Sequence, residues 1–405
     1  MFSPPRASGP TPPANTRPAH GRRVRAAGGY WAYLPDPLPP HLEWNAGLAS
    51  RLSHADRAVG RLAGEGRRLP NPHLLIRPFI RREAVLSSRI EGTQATLGEL
   101  LAAEAGAAVE RSPADLREVG NYVGALEHGV ARLKSLPLSL RLVRELHETL
   151  MRGVRGDMAT PGEFRRTQNW IGPAGCTLAE ATYVPPPPDR LMECLGAWET
   201  FLHEDTLPPL VQAALAHSQF EAIHPFIDGN GRVGRLLITL QLVAGGILPA
   251  PLLYLSAYFE ATRQEYYARL LAVTEKGEWE EWLDYFLRGV GDQAEDALSR
   301  IQRIDELLAG WRRELSGATS RLPERALELF TENPFWSVGN LAKRAGVAFT
   351  TAQRAIDRME SAGIVTLATE ARRNRVYCAR AILEILEEAP RVSGARMVTG
   401  LGAST

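Results

Sequence analysis

Cysteine is scarce in this 405-residue chain: Cys176, Cys194 and Cys378 are odd in number and far apart. Such spacing excludes a disulfide framework and a cysteine-based zinc cluster, and fits a reducing, cytoplasmic setting. Lysine is scarcer still, for only Lys134, Lys276 and Lys343 stand among 47 basic side chains. That bias toward arginine reflects the base composition of a genome more than selection for arginine chemistry. No apolar run approaches the roughly 20 residues that a membrane helix needs, so no membrane partner is expected. A net charge of +1 gives no global pull toward nucleic acid, which leaves any such binding to a local patch. Acid is absent from the first 29 residues, where Arg6, Arg17, Arg22, Arg23 and Arg25 stand among Pro, Gly and Ala. Residues 1–29 read as a disordered tail, with neither the apolar core of a secretory signal nor the amphipathic period of a transit peptide.

What is present is an ordinary globular composition, 44% hydrophobic and 23% charged, over a length that predicts two or three domains. After the Pro-rich entry LPDPLPP (34–40), helical patterns run to about Ser135, broken at RRLPNPH (67–73), so residues 30–135 read as all-helical. Amphipathic stretches continue through 136–292, with the aromatics of GEWEEWLDYFL (277–287) at core spacing. One interruption, TQNWIGPAGCTLAEATYVPPPP (167–188), sets two β-prone runs around a Pro/Gly turn and predicts a hairpin. Residues 293–320 read as a charged helical linker that could also join two copies as a homodimer.

From Leu322 the pattern changes. PERALELF, SVGNLAKRAG and AFTTAQRAIDRMESAG predict three helices with a turn at Gly346, and IVTL and RVYCA a two-stranded wing. Residues 321–390 thus resemble a winged helix-turn-helix domain, followed by a disordered tail at 391–405. Thr350, Thr351, Gln353, Arg354 and Arg358, with Arg372, Arg373 and Arg375 of the wing, would make a basic footprint for DNA. Protein docking is the alternative for that module. The expected fold class is mainly α.

The chemistry concentrates in HPFIDGNGRVGR, His224 to Arg235. Pro225 disfavours a helical His224, so the stretch is a loop between two helices, the second starting near Gly231. Gly229, Asn230 and Gly231 open that helix, where unpaired backbone N–H groups and the positive dipole end favour an anion. Arg232 and Arg235, three apart, converge on one polyphosphate. Asp228 offers a hard oxygen ligand for Mg²⁺, and His224 a proton acceptor near neutral pH. His217, seven residues earlier on the same helical face, reads as a packing residue.

This run is similar to the signature of Fic-domain proteins, His-x-Phe-x-Asp/Glu-Gly-Asn-Gly-Arg-x-x-Arg, at every defined position. The resemblance extends over about Tyr30 to Val290 and implies a Fic-type helical core with a β-hairpin flap. It implies transfer of AMP from ATP, with Mg²⁺, to a Ser, Thr or Tyr hydroxyl of a target protein, this chain itself included among the candidates. His224 would be the general base, Phe226 an apolar anchor, Asp228 the Mg²⁺ ligand, and Gly229 to Gly231 the anion hole. Val233 and Gly234 complete the nucleotide-binding run, with Arg232 near the β-phosphate and Arg235 on the γ-phosphate. Tyr183 and Val184 of the flap would align the target segment, and Tyr266 would cover the nucleotide base, with Tyr267 in the core.

A second motif lies upstream in SSRIEGTQATLGELL (87–101), where one helix ends at Gly92 and another starts with a Thr96/Glu99 capping box. Glu91 faces the negative end of its helix dipole and needs a compensating cation or solvent. Ser87-x-x-x-Glu91-Gly92 resembles the inhibitory motif of Fic proteins, which implies that Glu91 pairs with Arg235 and displaces the γ-phosphate. Three alternatives stand beside AMP transfer: a DNA-binding regulator whose Fic domain senses nucleotide, a different donor, and removal of AMP.

Overall fold

The computed structural model describes residues 20–68, 72–154, 160–316, 322–369 and 375–393. Its architecture is mostly helical with two small sheets. The chain enters through an antiparallel hairpin, β1 (Gly21–Arg25) and β2 (Trp31–Pro35), in the register Arg23 to Tyr33. This corrects both the disordered reading of 20–29 and the all-helical reading from Tyr30. The arginines of GRRVR hid a strand because its partner, WAYLP, supplies most of the buried surface.

Helices α1 (Ala46–Arg68), α2 (Pro72–Ile90), α3 (Leu97–Glu104), α4 (Pro113–Arg132) and α5 (Leu140–Leu150) follow. The capping box at the start of α3 forms as its residues predict, with Thr96 N–H donating to the Glu99 carboxylate at 2.8 Å and Glu99 N–H to Thr96 Oγ1 at 3.2 Å. Gly92, at φ 105°, makes the turn between α2 and α3 that a side chain would resist.

Next come α6 (Pro188–Leu202), α7 (Pro209–Ile223), α8 (Asn230–Ala244), α9 (Ser256–Ala261), α10 (Arg263–Lys276) and α11 (Trp279–Leu315). Helix α7 is buried almost all round, from Leu210 and Val211 to Phe220 and Ile223, which makes it the axis of the core. Trp198 of α6 and Trp282 of α11 donate their indole N–H groups to Ala216 O and Ala214 O of α7, each at 2.9 Å. The expected linker is no separate element: α11 runs unbroken for 37 residues, packed along α1.

The 167–188 segment forms no regular hairpin among the described residues. One antiparallel bridge, Ile171 to Tyr183, closes it, and a short 3-10 turn spans Leu178–Glu180. Gly172, Pro173, Gly175 and the Pro185–Pro188 run limit pairing to that bridge. Tyr33 N–H of β2 donates to Val184 O at 2.9 Å, which ties the entry hairpin to the flap.

The C-terminal part contains α12 (Leu322–Glu332), β3 (Phe335–Ser337), α13 (Val338–Ala345), α14 (Phe349–Ser361), β4 (Thr366–Leu367), β5 (Val376–Cys378) and α15 (Arg380–Glu387). The sheet order is β3-β5-β4, all antiparallel, one strand more than the two read from IVTL and RVYCA. Gly346, at φ 68°, ends α13. Arg372 and Arg373 lie outside the described residues, as do 1–19 and 394–405. Residues 391–393, expected in a disordered tail, are tied to α11: Gln293 donates to Arg391 O at 3.0 Å, and Ser393 N–H to Asp292 at 2.7 Å.

This part rests against α2 and α3. Glu332 accepts from Arg77 of α2 and from Arg344 of α13, the latter at 3.2 Å. Asn333 donates to Leu101 O at 3.2 Å, and Gly98 N–H donates to Glu387 at 2.9 Å. Among the described residues no helix is long and apolar enough to cross a membrane.

Candidate active site

Helix α7 stops at Ile223, and His224 takes the left-handed conformation (φ 49°, ψ 61°), a backbone state that non-glycine residues adopt only when neighbours hold it. Two side chains do so. Arg165, 3% exposed, donates Nε–H to His224 O at 2.9 Å and Nη2–H to Pro186 O at 2.6 Å. Asn169 donates to Phe226 O at 2.8 Å and to His224 O at 3.2 Å. Neither was read from the sequence, since each lies 55 or more residues from His224 with no local signature.

The loop closes on itself through Asn230, which accepts from Phe226 N–H at 2.8 Å and donates to Phe226 O at 2.9 Å. Phe226 is fully buried and stacks on His147 of α5, with ring centroids 3.7 Å apart. Gly162 N–H donates to His147 Nδ1 at 2.9 Å, so Nε2 carries the proton and donates to Asp228 O at 3.0 Å. Burial pulls the His147 imidazole down to about 4, which keeps it neutral in that role. Sequence reasoning missed His147, whose partner lies 81 residues downstream.

The base candidate has a defined tautomer. His224 Nδ1 lies 3.2 Å from Glu221 O, and a carbonyl only accepts, so Nδ1 carries the hydrogen and Nε2 keeps its lone pair. Burial, reinforced by Arg165 and opposed by the Glu221 carbonyl contact, lowers His224 to about 4. The ring is therefore unprotonated at neutral pH.

Glycine is required at two positions. At Gly229 (φ 82°) a Cβ would lie 2.9 Å from Met151 Sδ. At Gly231 it would strike the Glu91 carboxylate and lie 2.8 Å from Arg235 Nη1. The first N–H groups of a helix have no intrahelical acceptor, and in α8 these begin at Asn230, Val233 N–H already donating to Gly229 O at 3.0 Å. Val233 is fully buried and turns into the core, while Gly234 packs on Phe220 and His217. Any part of theirs in the nucleotide-binding run is therefore a backbone one.

Asp228, with its side chain 56% exposed, accepts from Gly229 N–H at 2.6 Å. No group of three His, Cys, Asp or Glu side chains able to hold a metal occurs among the described residues. One exposed carboxylate beside an anion cradle still suits Mg²⁺, which takes most of its ligands from phosphates and water.

Arg235 is 2% exposed and turned toward α2. It donates Nε–H to Ser87 Oγ and Nη2–H to Ser87 O, both at 2.9 Å, and Nη2 lies 2.6 Å from Glu91 Oε1. Burial by itself would raise the Glu91 carboxyl, but the Arg235 charge outweighs it and holds Glu91 below its ordinary value. Further along α2, Glu83 is buried and accepts from Tyr122 Oη at 3.1 Å and from Ser256.

The structure reverses the two tyrosines. Tyr266 is 1% exposed and bonds His217 Nε2 at 2.8 Å, whereas Tyr267 is 42% exposed. Successive helical residues point about 100° apart, and nothing local says which of an adjacent pair meets the core. Tyr183 is likewise tied down: Oη donates to Ala222 O at 2.7 Å, and its N–H and C=O pair with Ile171 at 3.0 and 2.9 Å.

The loop thus sets a neutral histidine at the end of one buried helix and two buried arginines in the first turns of the next, Arg232 paired with Glu118 and Arg235 with Glu91. Comparison with known proteins gives that arrangement its family. Residues 49–131 match the Fic/DOC family N-terminal region and residues 137–242 the Fic/DOC family domain itself. Within residues 49–242 the chain thus carries a Fic/DOC family N-terminal region followed by a Fic/DOC family domain. It is 37% identical over 120 residues to a protein adenylyltransferase Fic of Drosophila yakuba, a match covering 29% of this chain and 22% of that protein. The chain spans less than a quarter of the length of the curated relatives it matches. A Fic family protein from Desulfovibrio desulfuricans G20 shares the fold, with a TM-score of 0.57 at 21% identity over 84% of this chain and 98% of the other. Fic-1 from C. elegans (aa134–508) gives a TM-score of 0.51 at 25% identity over 63% of this chain and 74% of the other.

Proposed function

We propose that the protein is an adenylyltransferase that moves AMP from ATP to a Ser, Thr or Tyr hydroxyl of a target protein, and that Glu91 restrains it. The observation that carries this reading is His224, held with Nε2 unprotonated beside an N–H cradle. In the reaction the acceptor oxygen bonds to the α-phosphorus, the bond to the bridging oxygen breaks, and pyrophosphate leaves. The acceptor proton goes to His224 Nε2. Backbone N–H groups of Asn230 and Gly231 receive the phosphates, that of Gly229 being held by Asp228, and Arg232 and Arg235 receive the outer charges. Mg²⁺, held by Asp228 with the phosphates, supplies charge neutralisation when bound. Tyr267, exposed near Glu91 and Arg235, is better placed than Tyr266 to cover the base.

The restraint follows from valence. Arg235 has its Nε and Nη2 donors committed to Ser87 and Glu91, and the Glu91 carboxylate repels a γ-phosphate approaching the remaining Nη1. Intact-mass measurement of the Glu91→Gly variant after incubation with ATP and Mg²⁺ tests the activity. A gain of about 329 Da, the mass of an added AMP, supports it. No gain on this chain or on any protein of a cell extract, with radiolabelled ATP, rejects it.

A second reading concerns residues 321–390, which we read as a winged helix. Its support is that α14 exposes Thr350, Thr351, Arg354 and Arg358 to solvent. Duplex DNA is the partner that such a face fits, and a gel shift that weakens steeply with salt checks it.

A further inference from the structure

Both arginines of the loop are ion-paired with carboxylates from the preceding helices, but in opposite senses. Arg235 is engaged by α2 through Nε and Nη2 together. Arg232, 3% exposed, is gripped at one tip only: Nη1 meets the Glu118 carboxylate of α4. Its other tip, Nη2, faces the loop, 3.5 Å from Asp228 Oδ1 and 3.8 Å from Met151 Sδ. Its Nε is buried with no acceptor among the described residues.

An arginine in the first turn of a helix has four side-chain torsions and loses their freedom when it binds a ligand. A carboxylate at one end of the planar fork removes that freedom in advance and fixes where the remaining donors point. Glu118 is well placed for this, since its side chain is 20% exposed and belongs to a helix packed directly on α8. We infer that Glu118 is a positioning residue that holds the Arg232 guanidinium with its Nη2 tip, which has only long contacts to Asp228 and Met151, turned toward the loop where the β-phosphate of a bound nucleotide would sit. This inference rests on the adenylyltransferase reading above.

Glu118 therefore acts opposite to Glu91. A brake takes the donors that a phosphate would use, and Glu91 does so. An anchor takes the donor on the far tip and leaves the near tip, here Nη2 with its long 3.5 Å contact to Asp228, to the ligand, and Glu118 does so. Removing the brake improves nucleotide binding, whereas removing the anchor weakens binding of nucleotides that have a β-phosphate.

AMP and ADP differ by that phosphate, which makes them the diagnostic pair. Glu118→Ala would leave a buried charge uncompensated and could unfold the chain, so Glu118→Gln and Glu118→Asp are the variants of choice. Each is made in full-length Glu91→Gly protein and titrated calorimetrically with AMP and with ADP, beside a thermal melt. In Glu118→Gln the ADP dissociation constant is expected to rise about tenfold and that of AMP to change by less than about twofold. Glu118→Asp, which keeps the charge, is expected to recover part of the ADP loss. Unchanged ADP affinity, equal weakening of AMP and ADP, or tighter ADP binding overturns the inference; the last would make Glu118 a second brake. If Glu91→Gly alone binds neither nucleotide, the adenylyltransferase reading fails instead.

Discussion

The Arg235 guanidinium lies 2.6 Å from the Glu91 carboxylate, although 144 residues separate the two along the chain. Replacing Glu91 by glycine removes the competing acceptor and frees one Nη2 hydrogen for solvent or ligand, the other staying on Ser87 O. Self-labelling with radiolabelled ATP is expected to rise at least about tenfold, the change that about 1.4 kcal/mol of relieved competition produces. Equal label on both proteins would remove the restraint.

Gly231 is the steric seat of that ion pair, because a Cβ there would strike Glu91 and crowd Arg235 Nη1 at 2.8 Å. Gly231→Ala is therefore expected to destabilise the wild type by about 1–3 kcal/mol and the Glu91→Gly protein by much less. Denaturant unfolding of the four proteins in a double-mutant cycle measures the coupling; additivity would mean that the crowding is relaxed elsewhere.

With His224 lowered to about 4, the base stays unprotonated across the neutral range. The labelling rate of Glu91→Gly is expected to be flat from about pH 8 to about pH 5 and to fall as pH drops through about 4. His224→Ala abolishes labelling at every pH. A rate already falling near pH 6.5 would show an ordinary solvated histidine.

Glu221, one turn before the base, has a buried Oε1 with no hydrogen-bond partner among the described residues, and burial pushes its carboxyl up to about 7. Between the ordinary value of 4.5 and about 7 the folded protein holds a proton that the unfolded chain has released. Stability must fall as pH rises through that window, by on the order of 2 kcal/mol. Glu221→Gln is expected to flatten this stretch of the melting-temperature profile. Identical profiles would place the wild-type dependence elsewhere.

What was legible in the chain was local. The loop, its glycines and the Thr96/Glu99 capping box all act within four residues, so their spacing carried their geometry. What was not legible was register and distance. Whether Tyr266 or Tyr267 meets the core depends on how α10 rolls against α7 and α11, which two adjacent tyrosines do not encode. Glu118, His147 and Arg165 reach the loop from 59 to 114 residues away, and each is a common residue in an unremarkable helix or turn. The Glu91 to Arg235 pairing came from likeness to a known motif, since no spacing rule links residues so far apart. β1 was missed because its arginines outweighed the buried strand beside it.

Helix α2 carries Ser87, with Glu91 just beyond its last residue, while its other half and the helix that follows are fastened to the C-terminal part through Arg77, Leu101 and Gly98. A rod fastened at one end cannot swing its other end aside without bending or slipping its mooring. The ease with which Glu91 leaves Arg235 is thus shared with contacts that lie far from any phosphate. Glu332, gripping α2 on one side and α13 on the other, is where the two ends of the chain meet mechanically.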